Sequence, residues 1–554
     1  MIKKYWFLLA ALIVLFGVYF TVVDGGIAHL GNEVVGKYVP GDTETNYLSA
    51  LSTYRGEGLY KGFSIVYPPG RFLALSTLFY FLGASLPTFG FYFNFFAPLL
   101  FPTFLFILSF LILKRFISEK IAFLLSFVPL FFDMTIVRSA QEVHVCIALF
   151  FIVSLLKFKR EKIQRLLLGI ALGLVFLFRI ESGILLTTAL VLTSYQLMKK
   201  KEFVRQIIIG FALVWVPVLL LVVFQGSIGN FFNDLFILGF IIHPRIGEEA
   251  ISPDHIRLFI ALGIYLVASA VALFQNTTNK SLKSFAIFSA LSFISSLGRS
   301  DEGHLWYGLM WISIYVGLAC IFVVQCKLPK KNRVFVDALY ALAIAFLVGL
   351  AVYIKITILF LLLVLVLFVF STYVFSPKNK SLVFVIGALV SLAIFHSASY
   401  LKLRFSPLTL KFDPVHYAPD FFHDDDDEIA GMIFPKDEMM VLQKIAQHIP
   451  TNEHYIFIFP DYEILYEYFD QHNPTRYYNL SGERTDSTER EVIKELENKN
   501  VSYFLVFPQR AEDRGGMVWD WIMNHTKMYQ EYEFSGEPVE LRKIKEPLSI
   551  KGAI

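Results

Sequence analysis

The sequence predicts an all-α polytopic membrane domain of about thirteen transmembrane helices over residues 1–400, followed by an extracytoplasmic α/β domain over residues 401–554. Three observations lead to this fold class. Hydrophobic residues make up 56% of the 554 positions and charged residues only 17%, and a soluble protein needs more charge than that on its surface. Apolar runs of spanning length recur before residue 400. A polar sequence with alternating helix and strand patterns follows them.

The apolar runs are close to the roughly 20 residues that a spanning helix needs. The first run, 5–23, follows two lysines and is not followed by a small-x-small cleavage site, so we interpret it as an uncleaved transmembrane helix. The stretch 166–198 is long enough for two shorter spans, which break at Phe178-Arg179-Ile180-Glu181-Ser182. The remaining runs lie at 88–113, 121–137, 143–157, 207–225, 257–275, 284–298, 305–325, 334–352, 356–375 and 381–399.

Lysine and arginine set the predicted orientation, because basic residues collect in cytoplasmic loops. If the apolar stretch 71–86 lies at the membrane interface and does not cross it, the basic clusters fall on one side. The N-terminus is then cytoplasmic, and the first loop (24–87), the loop 226–256 and the C-terminal domain are outside. The clusters placed inside are Lys3/Lys4, Lys114–Lys120, Lys157–Arg165, Lys199–Arg205, Lys280/Lys283, Lys327–Arg333 and Lys378/Lys380.

The formal net charge of +3 is too small to imply nucleic acid as a partner.

The C-terminal domain shows helix and strand patterns in alternation. Residues 434–449 and 488–499 have the amphipathic pattern of helices. Tyr455–Phe459 and Val501–Phe507 have the short apolar pattern of buried strands. Alternation of this kind favours a parallel sheet.

Ionisable residues stand where several apolar runs reach the predicted outer face. Such groups are costly at membrane depth and usually face a wet cavity or pair with each other, so we expect a cavity that holds both signs of charge. Transfer of a sugar from a lipid phosphate would use both, since a carboxylate can take the acceptor's proton and cations can stabilise the departing phosphate. The segments concerned are Asp42–Glu44, Tyr67–Arg71, Arg138–His144, Arg179–Glu181 and Arg299–His304.

The same residues carry a resemblance to a known superfamily. Pro40-Gly41-Asp42 early in the first loop, the later Tyr67-Pro68-Pro69-Gly70, and Glu142 at the second outer turn resemble the GT-C superfamily of membrane glycosyltransferases. The likeness is to its family 39-like branch of protein mannosyltransferases, aminoarabinose transferases and bacterial lipopolysaccharide-core transferases. It covers residues 1–310 best, and Asn473–Tyr477 also resembles the extracytoplasmic tail of some members.

The resemblance implies a GT-C-type fold and an activity. Members are integral-membrane, inverting enzymes that take a sugar from a polyprenyl-phosphate carrier. The expected partners are therefore a polyprenyl-phosphate-linked sugar, a lipid, glycan or protein acceptor of the cell envelope, and membrane lipids. No residue set in the sequence requires a cofactor or is assigned to a metal, although the resemblance allows a divalent metal.

The resemblance also implies roles for individual residues. Asp42 corresponds to the catalytic base, and Glu142 to a second acid near the acceptor or the donor head group. Many members carry two adjacent acids in the first loop, whereas here Thr43 separates Asp42 from Glu44. The candidate substrate-binding residues are Glu44, Tyr67, Arg71, Arg138, His144, Arg179, Glu181, Arg299, Asp301 and His304, with Arg179, Arg299 and His304 expected at the lipid phosphate.

The candidates also have plainer structural interpretations. Asp42 could cap the helix that the pattern predicts over 43–54. Glu142 could be an exposed acid at a helix start, where the helix dipole favours a negative charge. His144 could be a packed core histidine.

The remaining charged segments are open to similar alternatives. Arg179 and Glu181 could form a structural ion pair, and Arg299–His304 could be a solvated turn. The acidic run Asp424–Glu428 is more typical of a solvated, flexible segment than of a metal site.

Two rival functions stay open at this stage. A transporter or flippase of lipid-linked sugars would share the membrane domain, but such proteins tend to show internal repeats and charges near the middle of the membrane. A non-catalytic envelope assembly protein would work mainly through its soluble tail.

Overall fold

The computed structural model describes residues 42–84, 100–115, 141–242, 278–296 and 436–545, with short gaps in the last range and a few single residues between 88 and 126. They belong to two compact units, which we describe one at a time. Unit 1 takes Met1–Val18, Phe95–Val216 and Gly247–Leu410, and unit 2 takes Tyr19–Asn94, Pro217–Ile246 and Lys411–Ile554. The predicted domain boundary near residue 400 lies outside the described residues.

The described elements are mostly helical, with one sheet near the C-terminus. In chain order they are α1 (Asp42–Arg55), α2 (Gly70–Leu82), α3 (Phe101–Leu113), α4 (Gln141–Leu155), α5 (Glu161–Phe178), α6 (Ile180–Met198), α7 (Lys201–Phe224), α8 (Ile228–Phe232), a π-helix (Asn233–Ile242), α9 (Lys280–Ser296), α10 (Lys436–His448), β1 (Ile456–Phe459), α11 (Leu465–Tyr468), α12 (Asp486–Asn498), β2 (Tyr503–Val506), α13 (Pro508–Glu512), α14 (Met517–His525), β3 (Thr526–Phe534) and β4 (Glu537–Ile544).

The helices of unit 1 pack side by side. In this unit α4 packs against α3, α5 and α9, and α6 packs against α5 and α9. The predicted break within 166–198 is confirmed, because α5 ends at Phe178 and α6 begins at Ile180. Arg179 between them is extended, with φ −160° and ψ 111°.

Two of the described helices, α7 and the Ile180–Leu197 part of α6, are long and apolar enough to cross a membrane. On α7 the side chains of Leu213, Val216, Leu220 and Val223 are 48–58% exposed at spacings of three and four residues. Such spacing places them on one face of the helix. A continuous exposed apolar face is the surface that lipid chains would cover. The full number of spans stays a prediction.

Glycines bring α5 and α7 into close contact within unit 1. A Cβ on Gly169 would meet the backbone carbonyl of Ile207 well inside van der Waals contact, and one on Gly210 would meet the carbonyl of Leu166 in the same way. The indole nitrogen of Trp215 also donates to the carbonyl of Gly173 at 3.1 Å. Small residues at such spacings let membrane helices approach backbone to backbone.

Unit 2 contains the hairpin formed by α1 and α2. The ring of Phe79 on α2 lies 5.8 Å from that of Tyr47 and 6.2 Å from that of Tyr54, both on α1. The 13 residues of α2 extend only about 20 Å at the rise of an α-helix, less than the roughly 30 Å core of a bilayer. Since α3, in the predicted span 88–113, has the same length, the interfacial position of 71–86 stays a prediction.

The C-terminal sheet of unit 2 has the strand order β1-β2-β4-β3. The predicted helices and strands are confirmed as α10, β1, α12 and β2, and β1 pairs with β2 in parallel. The expected parallel pairing is confirmed for these two strands only, and the sheet as a whole is mixed because β4 runs antiparallel to both β2 and β3. The sequence pattern missed the β3–β4 hairpin since most of β3 is exposed and polar, which removes the alternation that marks a half-buried strand.

Replacement of Gly169 by alanine should destabilise the protein by about 1–3 kcal/mol, because the new methyl group has to displace the backbone of α7. Thermal unfolding of the purified protein in detergent measures the loss. The matched control is Gly229→Ala, since no atom lies within 4 Å of the position of its Cβ. Equal unfolding temperatures for the two variants would contradict the close contact.

Candidate functional site

Side chains from three separate parts of unit 1 bind the carbonyl groups at the C-terminal end of α4. Arg115 donates to the carbonyl of Leu155 at 2.7 Å. Gln164 donates to the carbonyl of Leu156 at 2.9 Å, and Ser281 donates to that of Ser154 at 3.0 Å. The three donors belong to or adjoin predicted cytoplasmic loops. The structure therefore brings three of these loops to one end of α4.

Glu142 lies at the other end of α4. It belongs to the first turn of this helix, and only 1% of the residue is exposed. The interpretation of Glu142 as an exposed acid is therefore wrong. The helix dipole favours a negative charge at this position. A buried carboxylate nevertheless loses hydration, so its presence in an apolar helix is costly.

The surroundings of His144 agree with its plainer interpretation as a packed histidine, and its substrate contact stays a prediction. It is 3% exposed, and its ring lies 5.4 Å from the ring of Phe101 on α3. The imidazole thus packs between helices α3 and α4 of unit 1.

Arg179 lies between α5 and α6, and Glu181 lies in the first turn of α6. Both are at the same end of the unit 1 helices as Glu142. This follows from helix direction: α5 begins beside Gln164, near the C-terminal end of α4, and runs back to Phe178. The Arg179 Nε and Glu181 Oε2 atoms are 3.8 Å apart, and the side chains are 39% and 48% exposed. A pair this open contributes roughly 0–1 kcal/mol, so stability alone is a weak reason for it. We call Glu142, Arg179 and Glu181 the ionisable end of unit 1.

In unit 2, helix α1 begins at Asp42, and Glu44 lies in its first turn. The side chains of these two acids lie outside the described residues. Further along α1, Ser49 and Ser52 are 0% and 2% exposed. Their hydroxyl groups have no hydrogen-bond partner among the described residues, and buried polar groups of this kind call for an explanation. The helix that begins at Asp42 thus buries the polar side chains of Ser49 and Ser52.

The loop 56–67 lies between α1 and α2 and is closely bonded. Tyr60 is fully buried with φ 60°, and its hydroxyl donates to the carbonyl of Tyr67 at 2.6 Å. Tyr67 and Arg71 are themselves half-buried, and Arg71 is the second residue of α2. The structure therefore places these two predicted binding residues in one bonded hairpin.

A buried ion pair joins two distant parts of the chain within unit 2. The Arg476 Nη1 atom donates to both carboxylate oxygens of Asp234, at 3.1 and 2.8 Å. The two side chains are 7% and 0% exposed. Arg476 Nη2 also donates to the hydroxyl of Tyr477 at 2.8 Å, and that hydroxyl donates to Glu491 at 2.8 Å. Each charge in this cluster is matched by a partner, as buried charges require.

The pKa values follow from burial and charge. Burial raises the pKa of the Asp234 carboxyl, and the guanidinium of Arg476 opposes that rise. Burial lowers the pKa of Arg476, but the attraction of Asp234 outweighs it and the net pKa is raised. Burial, reinforced by Asp234, also raises the pKa of Tyr60 well above its usual range. Arg476 is therefore the cation that favours the ionised form of this buried carboxylate, against the effect of burial.

Four of the predicted site residues cannot be compared with these contacts. Arg138, Arg299, Asp301 and His304 lie outside the described residues. Asp234 is not among the predicted site residues, although the sequence carries one signal for it: Asp234 is a single acid inside the apolar sequence Phe231–Ile242. Among the described residues, no group of three or more His, Cys, Asp or Glu side chains could bind a metal ion.

Replacement of Arg476 by methionine should cost about 3–5 kcal/mol, because it leaves the carboxylate of Asp234 buried without its counter-charge. The measurement is thermal unfolding of the purified full-length protein. Arg205→Met is the control, since Arg205 pairs with Glu202 at 2.6 Å while both side chains are largely exposed, at 61% and 45%. That variant should lose less than about 1 kcal/mol. Similar losses would contradict a buried ion pair.

Comparison with known proteins gives matches among solved structures. No family model and no curated protein sequence matches the chain. Across 98% of both chains it is similar to ArnT from Cupriavidus metallidurans bound to undecaprenyl phosphate, with 11% identity and a TM-score of 0.49. It is also similar to the Archaeoglobus fulgidus oligosaccharyltransferase AglB in complex with an inhibitory peptide and a dolichol-phosphate. That match has 10% identity and a TM-score of 0.40, and it covers 98% of this chain and 74% of that chain.

A third match is an Archaeoglobus fulgidus oligosaccharyltransferase in complex with Zn and sulfate. It has 12% identity and a TM-score of 0.42, and it covers 96% of this chain and 72% of that chain. ArnT and AglB are both members of the GT-C superfamily, the one that the sequence motifs resemble. At 10–12% identity, these matches are likenesses of fold.

Proposed function

We propose that this protein is an integral-membrane inverting glycosyltransferase that moves a sugar from a polyprenyl-phosphate donor to a hydroxyl acceptor on the outer face of the membrane. The observation that carries the proposal is the burial of Glu142 at the ionisable end of unit 1. This end is opposite to the one where three predicted cytoplasmic loops meet on α4. With those loops in the cytoplasm, Glu142 and Arg179 would face the outer side, where the sequence also predicts Asp42.

The proposed reaction is a single displacement at the anomeric carbon of the donor. The acceptor oxygen forms a bond to this carbon while the bond from the carbon to the phosphate oxygen breaks. Asp42 takes the proton of the acceptor hydroxyl as general base. The phosphate leaves with the bonding electrons, and cations stabilise its growing charge. Attack opposite to the leaving group inverts the anomeric configuration.

The other candidates would bind and orient the two substrates. Glu142 would accept hydrogen bonds from the sugar or acceptor hydroxyl groups. Arg179, Arg299 and His304 would bind the lipid phosphate, and the exposed fraction of Arg179 is compatible with such a contact. Glu44, Tyr67, Arg71, Arg138, His144, Glu181 and Asp301 complete the proposed substrate-binding set. No step in this scheme depends on a metal ion.

The placement of charge favours an enzyme over a flippase. In α4, α5, α6 and α7 the ionisable side chains lie near helix ends, whereas transporters tend to bind their substrates through charges near the middle of the membrane. Activity in detergent separates the two functions, because a flippase needs a sealed bilayer to produce a measurable result and a transferase does not.

Asp42→Asn should lower sugar transfer by about 10²–10⁴-fold, because the amide cannot accept the proton of the acceptor. Transfer is measured with a radiolabelled lipid-linked sugar. Binding of undecaprenyl phosphate or dolichol phosphate, detected by mass spectrometry of the purified protein, should not change.

The control for this variant is Glu57→Gln, which removes an exposed carboxylate from the same predicted outer loop and should leave transfer unchanged. Full activity of the Asp42→Asn protein would exclude Asp42 as the base. Failure of the unmodified protein to bind either lipid would exclude the proposed donor.

Cysteine labelling tests whether the proposed site residues share one side of the membrane. After replacement of the native cysteines by serine, Glu57→Cys and Glu181→Cys should react with an impermeant maleimide added outside intact cells. Glu161→Cys should react only after permeabilisation, because its side chain is 76% exposed at the predicted cytoplasmic end of α5. If positions 57 and 181 were labelled from opposite sides, the proposed site could not exist.

A further inference from the structure

The loop 56–67 is bonded at three points to parts of unit 2 that are distant in sequence. The amide of Leu59 donates to the side chain of Gln225 at 2.8 Å, and Asn230 donates to the carbonyl of Tyr60 at 3.0 Å. The amide of Ser64 donates to the backbone carbonyl of Arg476 at 2.8 Å. We call the contacts of Gln225, Asn230 and Arg476 with this loop the loop clamp.

Arg476 takes part in the clamp through its backbone and is fixed by its side chain. Its guanidinium binds Asp234, one helical turn beyond Asn230, which is itself a member of the clamp. The side chain of Ser64 also forms a hydrogen bond with Asp234. The ion pair and the backbone contact therefore both hold Ser64. A change at the guanidinium of Arg476 must disturb both of these contacts.

Hydrogen bonds within the turn that contains Arg476 fix the orientation of this residue. The side chain of Asn473 accepts a hydrogen bond from the amide of Thr475 at 2.9 Å and donates to the carbonyl of Tyr477 at 3.1 Å. The guanidinium lies 4.6 Å from the ring centre of Tyr477. Asn473–Tyr477 is thus a bonded turn whose arginine reaches Asp234.

The clamped loop connects the two helices of the α1–α2 hairpin. These helices contact each other through Tyr47, Tyr54 and Phe79, and α1 begins at Asp42. Displacement of the loop would therefore change how α1 is held in unit 2.

We propose that Arg476 is a positioning residue of the transfer reaction, and that the C-terminal domain uses it to fix loop 56–67 and the helix that starts at Asp42. This inference rests on the proposed function for its catalytic part only. The loop clamp itself can be tested without any transfer assay.

Hydrogen exchange of the full-length protein in detergent tests the structural part. Arg476→Lys keeps the charge but loses the forked contact with Asp234, so the amides of residues 56–67 should exchange about tenfold faster than in the unmodified protein. The matched control is Arg542→Lys. Arg542 is also buried, at 6% exposed, but bonds to Thr526 and Glu540 within its own sheet. This control should leave exchange in 56–67 unchanged.

Steady-state kinetics on the folded, monodisperse fraction tests the catalytic part. Arg476→Lys should lower kcat about tenfold with little change in the KM of the lipid-linked donor, because a misplaced base affects the chemical step more than donor binding. Arg542→Lys should leave both constants unchanged. A merely structural role of Arg476 would lower the yield of folded protein but not kcat per folded molecule.

The outcomes separate the two proposals. Unchanged exchange in 56–67 for Arg476→Lys, or an equal increase for Arg542→Lys, would overturn the loop clamp. Faster exchange with unchanged kcat would overturn the positioning role. Faster exchange in a protein that shows no transfer at all, even when unmodified, would leave the clamp in place and refute the proposed glycosyltransferase.

Discussion

A charged group inside a protein or a membrane must find a partner, because an ion that loses its water is unstable by several kcal/mol. The positions of charges in this otherwise apolar chain follow from that constraint. Asp234 and Arg476 meet it by pairing with each other, with two hydrogen bonds of 3.1 and 2.8 Å. Glu142 meets it in part through its place in the first turn of α4, where the helix dipole favours a negative charge.

The Asp234–Arg476 pair gives the C-terminal domain a structural role. Breaking it would leave a buried ion, so the segments that carry the two residues are held together more firmly than an exposed ion pair could hold them. The π-helix, the turn Asn473–Tyr477 and the loop 56–67 all meet at this pair. The C-terminal part of the chain is therefore bonded to the loop 56–67 within unit 2.

Unit 1 depends on a different constraint, which is backbone contact between helices. Gly169 and Gly210 let α5 and α7 touch, while the opposite side of α7 exposes an apolar face. The direction of α5, which starts near the C-terminal end of α4, sets the end at which Arg179 lies. In this unit the helix break, the helix ends and the candidate charged residues were all predictable from the apolar runs. The lengths and interruptions of these runs are local properties of the sequence.

The sequence by itself determined the apolar helices, the break at Arg179, the four predicted elements of the C-terminal domain and the set of candidate acids. These follow from hydropathy and local periodicity, which act over a few residues. Only the tertiary structure decided that Glu142 is buried, that the sheet is mixed, and that Asp234 pairs with Arg476. Those outcomes depend on side chains up to 242 positions apart, and no local pattern records which distant residue will supply the partner of a buried charge.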